Sequence, residues 1–268
     1  MLLYYNNMLE IKILGSGTST GVPEIGCTCP VCTSTNEKDK RLRASALLHT
    51  DDATILIDCG PDFREQMLHV PFEKIDGVLI THEHYDHVGG LDDLRPFCKF
   101  GEVNAYAENY TADRLRNRMP YCFTDIKYPG VPDIVLKDIS EGESFYVNNT
   151  EIIPIRVFHG KMPILGYRIQ NMAYITDMLT VPEESYEQLK ELDILILNAL
   201  RIEKHISHQS LNQAIEVAKR IGAKETWFIH MSHRIGLHGE VDAMLPEGMH
   251  LAYDGLKMAL NCNSKKVK

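Results

Sequence analysis

Residues 81–87 read Thr-His-Glu-His-Tyr-Asp-His and concentrate side chains that could bind metal ions. The segment follows the apolar run 78–80, so these side chains are expected where a strand leads into a loop and then a helix. Imidazole suits zinc, iron or manganese, and a carboxylate adds a hard oxygen ligand. One turn cannot bring all four groups to a single ion, so the pattern favours two cations about 3.5–4 Å apart, as in hydrolytic sites. The candidate ligands are His82, His84, Asp86 and His87.

The alternative interpretation of this segment is a solvated polar loop. Three of only 12 histidines in the chain fall within it, which argues against a chance accumulation.

A second group of candidate ligands consists of Cys27, Cys29 and Cys32, in a turn-rich segment without strand periodicity. Three thiolates within six residues favour zinc, and structural zinc takes four tetrahedral ligands, so the local sequence lacks one. Buried cysteines without metal are the alternative. The remaining cysteines have no partner by spacing and are predicted to be packed thiols: Cys59, Cys98, Cys122 and Cys262. The odd total of seven argues for reduced thiols or metal ligands over a disulfide framework.

The elements that must position these residues can be predicted from apolar periodicity. Strand-like runs occur at 9–14, 46–49, 54–57, 77–80, 103–107, 173–176, 194–197 and 227–229, with several short strands between 134 and 170. Helical patterns occur at 91–98, 111–119, 182–192 and 211–218. Sheets flanked by helices, with strands in both halves, predict an α/β fold built as a four-layer αββα sandwich. No linker or repeat interrupts residues 1–268, which we expect to form one domain.

Composition and charge narrow the class of protein. Hydrophobic residues make up 44% and charged residues 24% of the 268, as in ordinary chains with a buried core. The net charge of −9 opposes nonspecific binding to nucleic-acid phosphates or anionic lipid. No apolar run approaches the roughly 20 residues of a membrane-spanning helix, and residues 1–10 lack the features of a secretory signal. We therefore expect a cytoplasmic protein with a disordered basic tail at 265–268.

The His-x-His-x-Asp-His pattern resembles the signature of the metallo-β-lactamase superfamily. The resemblance implies three further ligands, each after an apolar run: His159, Asp177 and His230. Taken singly, each would more often be a core or turn residue, but all three share a position at a strand end. Asp58 likewise follows an apolar run, residues 54–57. It would either orient the metal ligands through hydrogen bonds or be an ordinary turn residue before Gly60.

The superfamily resemblance also implies how the ligands are divided. His82, His84 and His159 would hold one ion, and Asp86, His87 and His230 the other. Asp177 would bridge them, and a bridging hydroxide would be the nucleophile, because two cations lower the pKa of water far below ~15.7.

The glycine-rich segment 15–23, followed by the three cysteines, is similar to the phosphoribosyl cyclic phosphodiesterase (PhnP-like) branch of this superfamily. The glycines alone indicate a turn, since they fit neither a dinucleotide-binding nor a P-loop motif. The branch implies His233 as the fourth ligand of a structural zinc and His208 as the acid that protonates the leaving alkoxide. His205 is a competitor for that role, and Ser207 or His208 could instead cap the following helix. The branch also implies a homodimer.

The sequence therefore predicts a hydrolase with two divalent ions, zinc or manganese, and one structural zinc, with His208 and Asp86 as catalytic residues. Its expected substrate is a small cyclic phosphodiester. A tRNA 3′-processing nuclease is the alternative enzyme, disfavoured by the net acidity and by the short segment between His159 and Asp177, where such nucleases carry a basic arm. A noncatalytic metal-bearing binding protein is the alternative from another class.

Overall fold

A computed structural model describes residues 7–124 and 128–262 of the chain, with the side chains of residues 7, 261 and 262 excepted. The strands are β1 (Asn7–Gly15), β2 (Ser45–His49), β3 (Thr54–Ile57), β4 (Gly77–Leu79), β5 (Val103–Glu108), β6 (Ile134–Ile139), β7 (Phe145–Val147), β8 (Thr150–His159), β9 (Met162–Ile169), β10 (Met172–Ile175), β11 (Ile194–Asn198), β12 (Glu225–Ile229), β13 (Met249–Leu251) and β14 (Lys257–Cys262). The α-helices are α1 (Phe63–Met67), α2 (Tyr85–Val88), α3 (Asn109–Arg118), α4 (Ser185–Gln188), α5 (Leu211–Ile221) and α6 (His238–Asp242). Four 3₁₀ segments lie at Glu37–Asp39, Leu91–Phe100, Pro120–Cys122 and His233–Ile235.

The strands within this part of the chain form two seven-stranded mixed sheets. The first has the order β14-β1-β2-β3-β4-β5-β6, and the second β13-β12-β11-β10-β9-β8-β7. Strands β3 to β6 run parallel in the first sheet, and β10 to β13 run parallel in the second. Ligands are expected just beyond the carboxyl ends of such strands, which gather at one edge of a sheet.

In the described part of the chain, three apolar cores lie between the layers. The central core joins inward-facing residues of both sheets, such as Ile57 from β3 and Tyr167 from β9. A second core packs the 3₁₀ segment Leu91–Phe100 and α3 against the outer face of the first sheet, and a third packs α5 against the outer face of the second. Two sheets face to face with helices outside them confirm the predicted αββα sandwich.

Two predicted helices differ from the structure. The pattern at 91–98 forms a 3₁₀ helix with Pro96 inside it, a residue that lacks an amide hydrogen and disfavours an α-helix interior. The predicted helix at 182–192 is wrong in length, because α4 covers only Ser185–Gln188. The Arg168 guanidinium binds the carbonyl oxygens of Gln188 and Lys190 at 2.7 and 2.8 Å, which stabilises them outside a helix.

Helix α5 matches its predicted pattern and ends at Gly222, which adopts φ +72°. Its N-cap residue is Ser210, whose backbone N–H donates to the side chain of Gln213 at 3.0 Å. The alternative in which Ser207 or His208 caps this helix is therefore wrong.

Among the described residues, no helix is long and apolar enough to cross a membrane. The predicted tail at 265–268 lies outside the described residues.

Candidate active site

Three site residues share an unusual backbone conformation. They lie just beyond the ends of strands β3, β10 and β12. Asp58, Asp177 and His230 have φ values of 59°, 56° and 57°. Residues other than glycine rarely adopt this left-handed conformation, and holding them there costs about 1–3 kcal/mol each. Such strain is typical of functional sites, and here it lies at the edges where the parallel strands end.

The loop that carries the four clustered ligands packs closely against the turn after β3. The Cys59 N–H donates to the His87 carbonyl at 2.7 Å, and the Gly90 N–H donates to the Cys59 carbonyl at 2.9 Å. A Cβ on Gly60 would lie 2.0 Å from the Asp86 carbonyl oxygen. Glycine is therefore required at residue 60, because any side chain would push the ligand loop away.

Asp86, His87, Asp177 and His230 form one buried group whose ligand atoms all lie within 4.8 Å of one another. His87 Nε2 is 3.0 Å from Asp177 Oδ2 and 3.2 Å from Asp86 Oδ2, and His230 Nε2 is 3.1 Å from Asp177 Oδ1. Residues far apart in the sequence thus meet as predicted.

His82, His84 and His159 form the adjoining group. The ring of His84 lies 4.6 Å from that of His82 and 5.2 Å from that of His159, measured between centroids. His159 Nδ1 is 2.9 Å from the carbonyl oxygen of Ser207. A carbonyl only accepts, so Nδ1 carries the hydrogen and Nε2 is left with a free lone pair for a metal. We call these two groups together the hydrolytic centre, with the candidate ligands His82, His84, Asp86, His87, His159, Asp177 and His230.

Several buried imidazole nitrogens of the hydrolytic centre make no well-directed hydrogen bond: Nε2 of His82, Nε2 of His87 and both ring nitrogens of His230. The Nε2 atoms of His87 and His230 lie close to carboxylate oxygens, but not in hydrogen-bond geometry. Burying a polar atom without a partner is costly. A divalent cation among these nitrogens and the two carboxylates would satisfy the Nε2 atoms. The residues therefore fit the predicted metal ions.

The charges of the centre also suit cations. Burial opposes ionisation of Asp177, but His230 and His87 hold its pKa well below the usual range. Burial lowers the pKa of His82 well below its ordinary value, which keeps this ring neutral. Burial also opposes protonation of His87, yet Asp177, Asp86 and Asp58 together raise its pKa well above the ordinary value. The carboxylates around His87 thus favour positive charge at this place.

His208 adjoins the hydrolytic centre, whereas His205 is turned elsewhere. His208 Nδ1 is 3.6 Å from Asp177 Oδ1, and its ring centroid is 4.4 Å from that of His159. His205 Nδ1 instead lies 3.3 Å from the Ser207 hydroxyl oxygen. Burial lowers the pKa of His208 to about 3, against the nearby Asp177 carboxylate, which favours the protonated ring. The geometry favours His208 over His205 for contact with a reacting group.

The second metal-binding group, which we call the zinc knuckle, consists of Cys27, Cys29, Cys32 and His233. The three Sγ atoms lie 3.1, 3.6 and 3.3 Å from His233 Nδ1. The structure thus brings His233 beside the three cysteines, where it is the candidate for the fourth ligand. A hydrogen bond from the Cys32 backbone N–H lowers the pKa of the Cys29 thiol to about 7, which favours the thiolate that binds zinc.

The other cysteines lie away from the knuckle. Cys59 and Cys122 are fully buried in the outer core of the first sheet, as predicted for packed thiols. Cys98 is only partly buried at the edge of that core. The side chain of Cys262 lies outside the described residues.

The glycine-rich segment 15–23 allows neighbouring parts of the chain to pack closely against it. A Cβ on Gly15 would lie 2.0 Å from the Arg43 carbonyl oxygen, and one on Gly17 would lie 2.8 Å from Arg41 Cβ. The same segment pairs with the chain between the two metal-binding groups, since the Met231 N–H donates to the Ser16 carbonyl at 3.0 Å. These glycines let the start of the chain support His230 and His233.

Sequence reasoning missed the residues that orient the ligands through hydrogen bonds. Thr81 contacts Asp58 and His82, Thr176 donates to Asp177 Oδ2 at 2.8 Å, and the Ser207 carbonyl orients His159. The only signal in the sequence was the position of Thr81, Thr176 and Ser207. Each directly precedes a predicted functional residue or lies one turn from it.

Comparison with known proteins identifies the family. The family model of the beta-lactamase superfamily domain matches residues 53–231, which contain all seven ligands of the hydrolytic centre. The chain belongs to the metallo-β-lactamase superfamily. A solved structure described as a new diphosphatase from the PhnP family is 40% identical, covers 94% of this chain and 97% of that one, and superimposes with a TM-score of 0.88. This superfamily member therefore lies in the PhnP-like branch.

Two curated relatives of this superfamily member carry other names. The octanoyltransferase of Porphyromonas gingivalis strain W83 is 46% identical over 258 residues, or 96% of this chain and 52% of that protein. The ribonuclease Z of Bacillus licheniformis is 29% identical over 166 residues, or 60% of this chain and 49% of that protein. The chain thus spans about half the length of these relatives. The family and the donor set together give the chain the fold and the candidate metal-binding residues of the metallo-β-lactamase superfamily.

Proposed function

We propose that this protein is a metal-dependent hydrolase, and specifically a phosphodiesterase that opens a small cyclic phosphodiester, such as a phosphoribosyl 1,2-cyclic phosphate or a 2′,3′-cyclic nucleotide. The observation that carries the proposal is the position of His208 Nδ1, 3.6 Å from Asp177 Oδ1 and beside the metal ligands. A phosphodiester hydrolase needs a group beside its metal pair that can donate a proton to the leaving oxygen. In this chain His208 occupies that place.

Two divalent cations, when bound, would lower the pKa of water and balance charge on the phosphoryl oxygens. His82, His84 and His159 would hold one ion, Asp86, His87 and His230 the other, and Asp177 would bridge them. The remaining steps fall to other groups. A bound phosphodiester anion would favour the protonated ring of His208. Water adds to phosphorus as one ring P–O bond breaks, the departing sugar oxygen takes the proton from His208, and the proton lost by the water returns to His208. The product is a phosphomonoester with a free hydroxyl group.

A nuclease acting on tRNA is disfavoured by the segment between His159 and Asp177. After Gly160 and Lys161 the chain enters β9, and β9 leads through a tight turn into β10. This hairpin leaves no residues for a basic arm, and the chain carries a net charge of −9. We therefore expect a small substrate.

A diphosphatase is the second candidate function, because the PhnP-family relative with 40% identity carries that name. Hydrolysis of a phosphoanhydride expels a phosphate. This leaving group needs less protonation than a sugar alkoxide, so His208 would matter less for a diphosphatase. Octanoyl transfer is not proposed, since the relative of that name is about twice as long as the matched region.

The proposal is tested with a substrate panel. Metal-loaded protein is incubated with 2′,3′-cyclic nucleotides, sugar cyclic phosphates, nucleoside diphosphates and a short RNA, and products are followed by phosphorus NMR. We expect cyclic phosphodiesters to give the highest kcat/KM. Preference for diphosphates would establish the second candidate, preference for RNA the nuclease, and no turnover of any substrate by fully loaded protein would favour a noncatalytic binding protein. Asp177→Asn protein serves as the inactive control.

A further inference from the structure

Thr81 lies between β4 and the ligand His82, and its backbone is held by both sheets. The Thr81 N–H donates to Asp58 Oδ1 at 2.9 Å, and the Thr81 carbonyl accepts from the Leu165 N–H at 3.1 Å. The residue is 2% exposed, so water cannot replace its contacts. These backbone bonds do not involve the hydroxyl group, which is therefore free to act on other residues.

The Thr81 hydroxyl joins Asp58 to His82. Its oxygen is 2.9 Å from Asp58 Oδ2 and 3.0 Å from His82 Nδ1. A carboxylate only accepts, and a hydroxyl has one hydrogen, so Thr81 donates to Asp58 and must accept from His82. His82 Nδ1 consequently carries the ring hydrogen. The lone pair of His82 is then on Nε2, the atom that is buried without a hydrogen-bond partner.

The same carboxylate also orients His87, whose Nδ1 is 2.7 Å from Asp58 Oδ2. This bond directs His87 Nε2 toward Asp177, at 3.0 Å. Asp58 thus acts on His87 directly and on His82 through one hydroxyl group. In the ligand division given above, these two histidines belong to different metal ions.

We propose that Thr81 is a positioning residue that holds His82 in the Nδ1–H form, so that one carboxylate, Asp58, orients one ligand of each metal ion. The inference rests on the metal pair of the proposed function but not on its substrate. Loss of the hydroxyl would leave His82 Nδ1 without an acceptor, and the ring could then place its hydrogen on Nε2 and block the metal. Partners of this kind typically contribute 10–100-fold to metal affinity.

The test uses full-length, zinc-loaded protein and compares Thr81→Val with Thr81→Ser. Valine keeps the volume and the branched Cβ but removes the hydroxyl, whereas serine keeps the hydroxyl. Chelator competition should show that Thr81→Val weakens one hydrolytic zinc about 10–100-fold, while Thr81→Ser stays within a few-fold of wild type. Thr176→Val serves as the control for the His82 ring hydrogen only, because its hydroxyl contacts Asp177 and its loss is itself expected to weaken metal binding.

A second readout follows the His82 ring hydrogen directly. In protein with ¹⁵N-labelled histidine, wild type and Thr81→Ser should show a slowly exchanging Nδ1–H signal that is absent from a His82→Gln variant. We expect this signal to be lost or to exchange rapidly in Thr81→Val and to persist in Thr176→Val. Neither readout uses a substrate, so failure of the proposed function would not be confused with failure of this inference.

The inference is overturned if Thr81→Val keeps both the Nδ1–H signal and the zinc affinity. It is equally overturned if Thr81→Ser loses as much affinity as Thr81→Val, since that would indicate a packing role of the methyl group. If Thr81→Val does not fold, Thr81→Ala and Thr81→Ser make the same comparison, because only alanine removes the acceptor.

Discussion

The hydrolytic centre and the zinc knuckle are joined by the segment from His230 to His233, yet they hold their ligands differently. In the hydrolytic centre, His82, His87 and His230 are fully buried, and ring nitrogens at the centre have no protein partner. In the knuckle, the four ligands are only partly buried and lie against one another.

The orienting contacts differ in the same way. Asp58 lies wholly inside the protein and accepts three hydrogen bonds, from Thr81 N–H, the Thr81 hydroxyl and His87. The corresponding carboxylate at the knuckle is Glu24, which is 42% exposed and lies 3.7 Å from His233 Nε2. A pre-oriented site with open coordination positions suits catalysis, whereas a closed set of four ligands suits a structural ion. The two centres should therefore respond differently to equivalent substitutions.

The largest effect is expected for Asp177→Asn in the hydrolytic centre. A neutral amide bridges two cations poorly, so at least one ion should bind more weakly, by more than the ~10–100-fold typical of orienting partners. Activity should fall even in excess metal, while the knuckle keeps its zinc. Elemental analysis and steady-state kinetics measure both quantities. Near-normal turnover with both ions bound would assign the bridge to another residue.

A large but selective effect is expected for His208→Ala. A sugar alkoxide needs a proton in the transition state, whereas nitrophenolate leaves readily as an anion. The kcat should therefore fall ~10²–10⁴-fold on a cyclic ribose phosphodiester and much less on bis(4-nitrophenyl) phosphate.

The metal content of the His208→Ala protein tests whether His208 is itself a metal ligand. The ligand atoms of His159, Asp177 and His208 also lie within 4.8 Å of one another, so His208 could itself bind an ion. We expect unchanged metal content. Loss of an ion would make His208 a ligand, equal rate losses on both substrates would give it a positioning role, and a parallel His205→Ala variant would reveal a misassigned acid.

In the knuckle, Cys32→Ser should affect stability more than chemistry. Structural zinc contributes ~10–16 kcal/mol to the folding of small finger peptides and less in a large core, so we expect a loss of several kcal/mol. Elemental analysis should show three ions per chain in wild type and two in the variant. If the variant keeps its full metal content and its Tm, the segment is only a turn with thiols.

The smallest effect is expected for Glu24→Gln, which removes the charge near His233. The pair is exposed and 3.7 Å apart, so its contribution should be about 0–1 kcal/mol. Asp58→Asn is the matched variant in the hydrolytic centre and should weaken metal binding about 10–100-fold. Thermal unfolding and chelator competition on both variants measure the contrast. Equal losses of stability and metal affinity in the two variants would contradict the difference between the two centres.

Much of the architecture could be predicted because its signals are local. Strand runs such as 54–57 and the amphipathic pattern of α5 predicted elements close to the observed ones. The predicted helix at 182–192 failed because the Arg168 side chain, from a neighbouring strand, binds its carbonyl groups. Propensity summed along a segment cannot include a contact of that kind.

The amino-acid sequence by itself determined which groups could bind metal, since His82, His84, Asp86 and His87 lie within six residues, and so do the three cysteines. Only the tertiary structure decided how distant residues complete each site. His233 reaches Cys27 across 206 positions, and Asp177 and His230 meet His87 where parallel strands of two sheets end. The hydrogen bonds that select one nitrogen of His87 and of His159 also depend on this packing, because their acceptors, Asp58 and the Ser207 carbonyl, lie 29 and 48 positions away in the sequence.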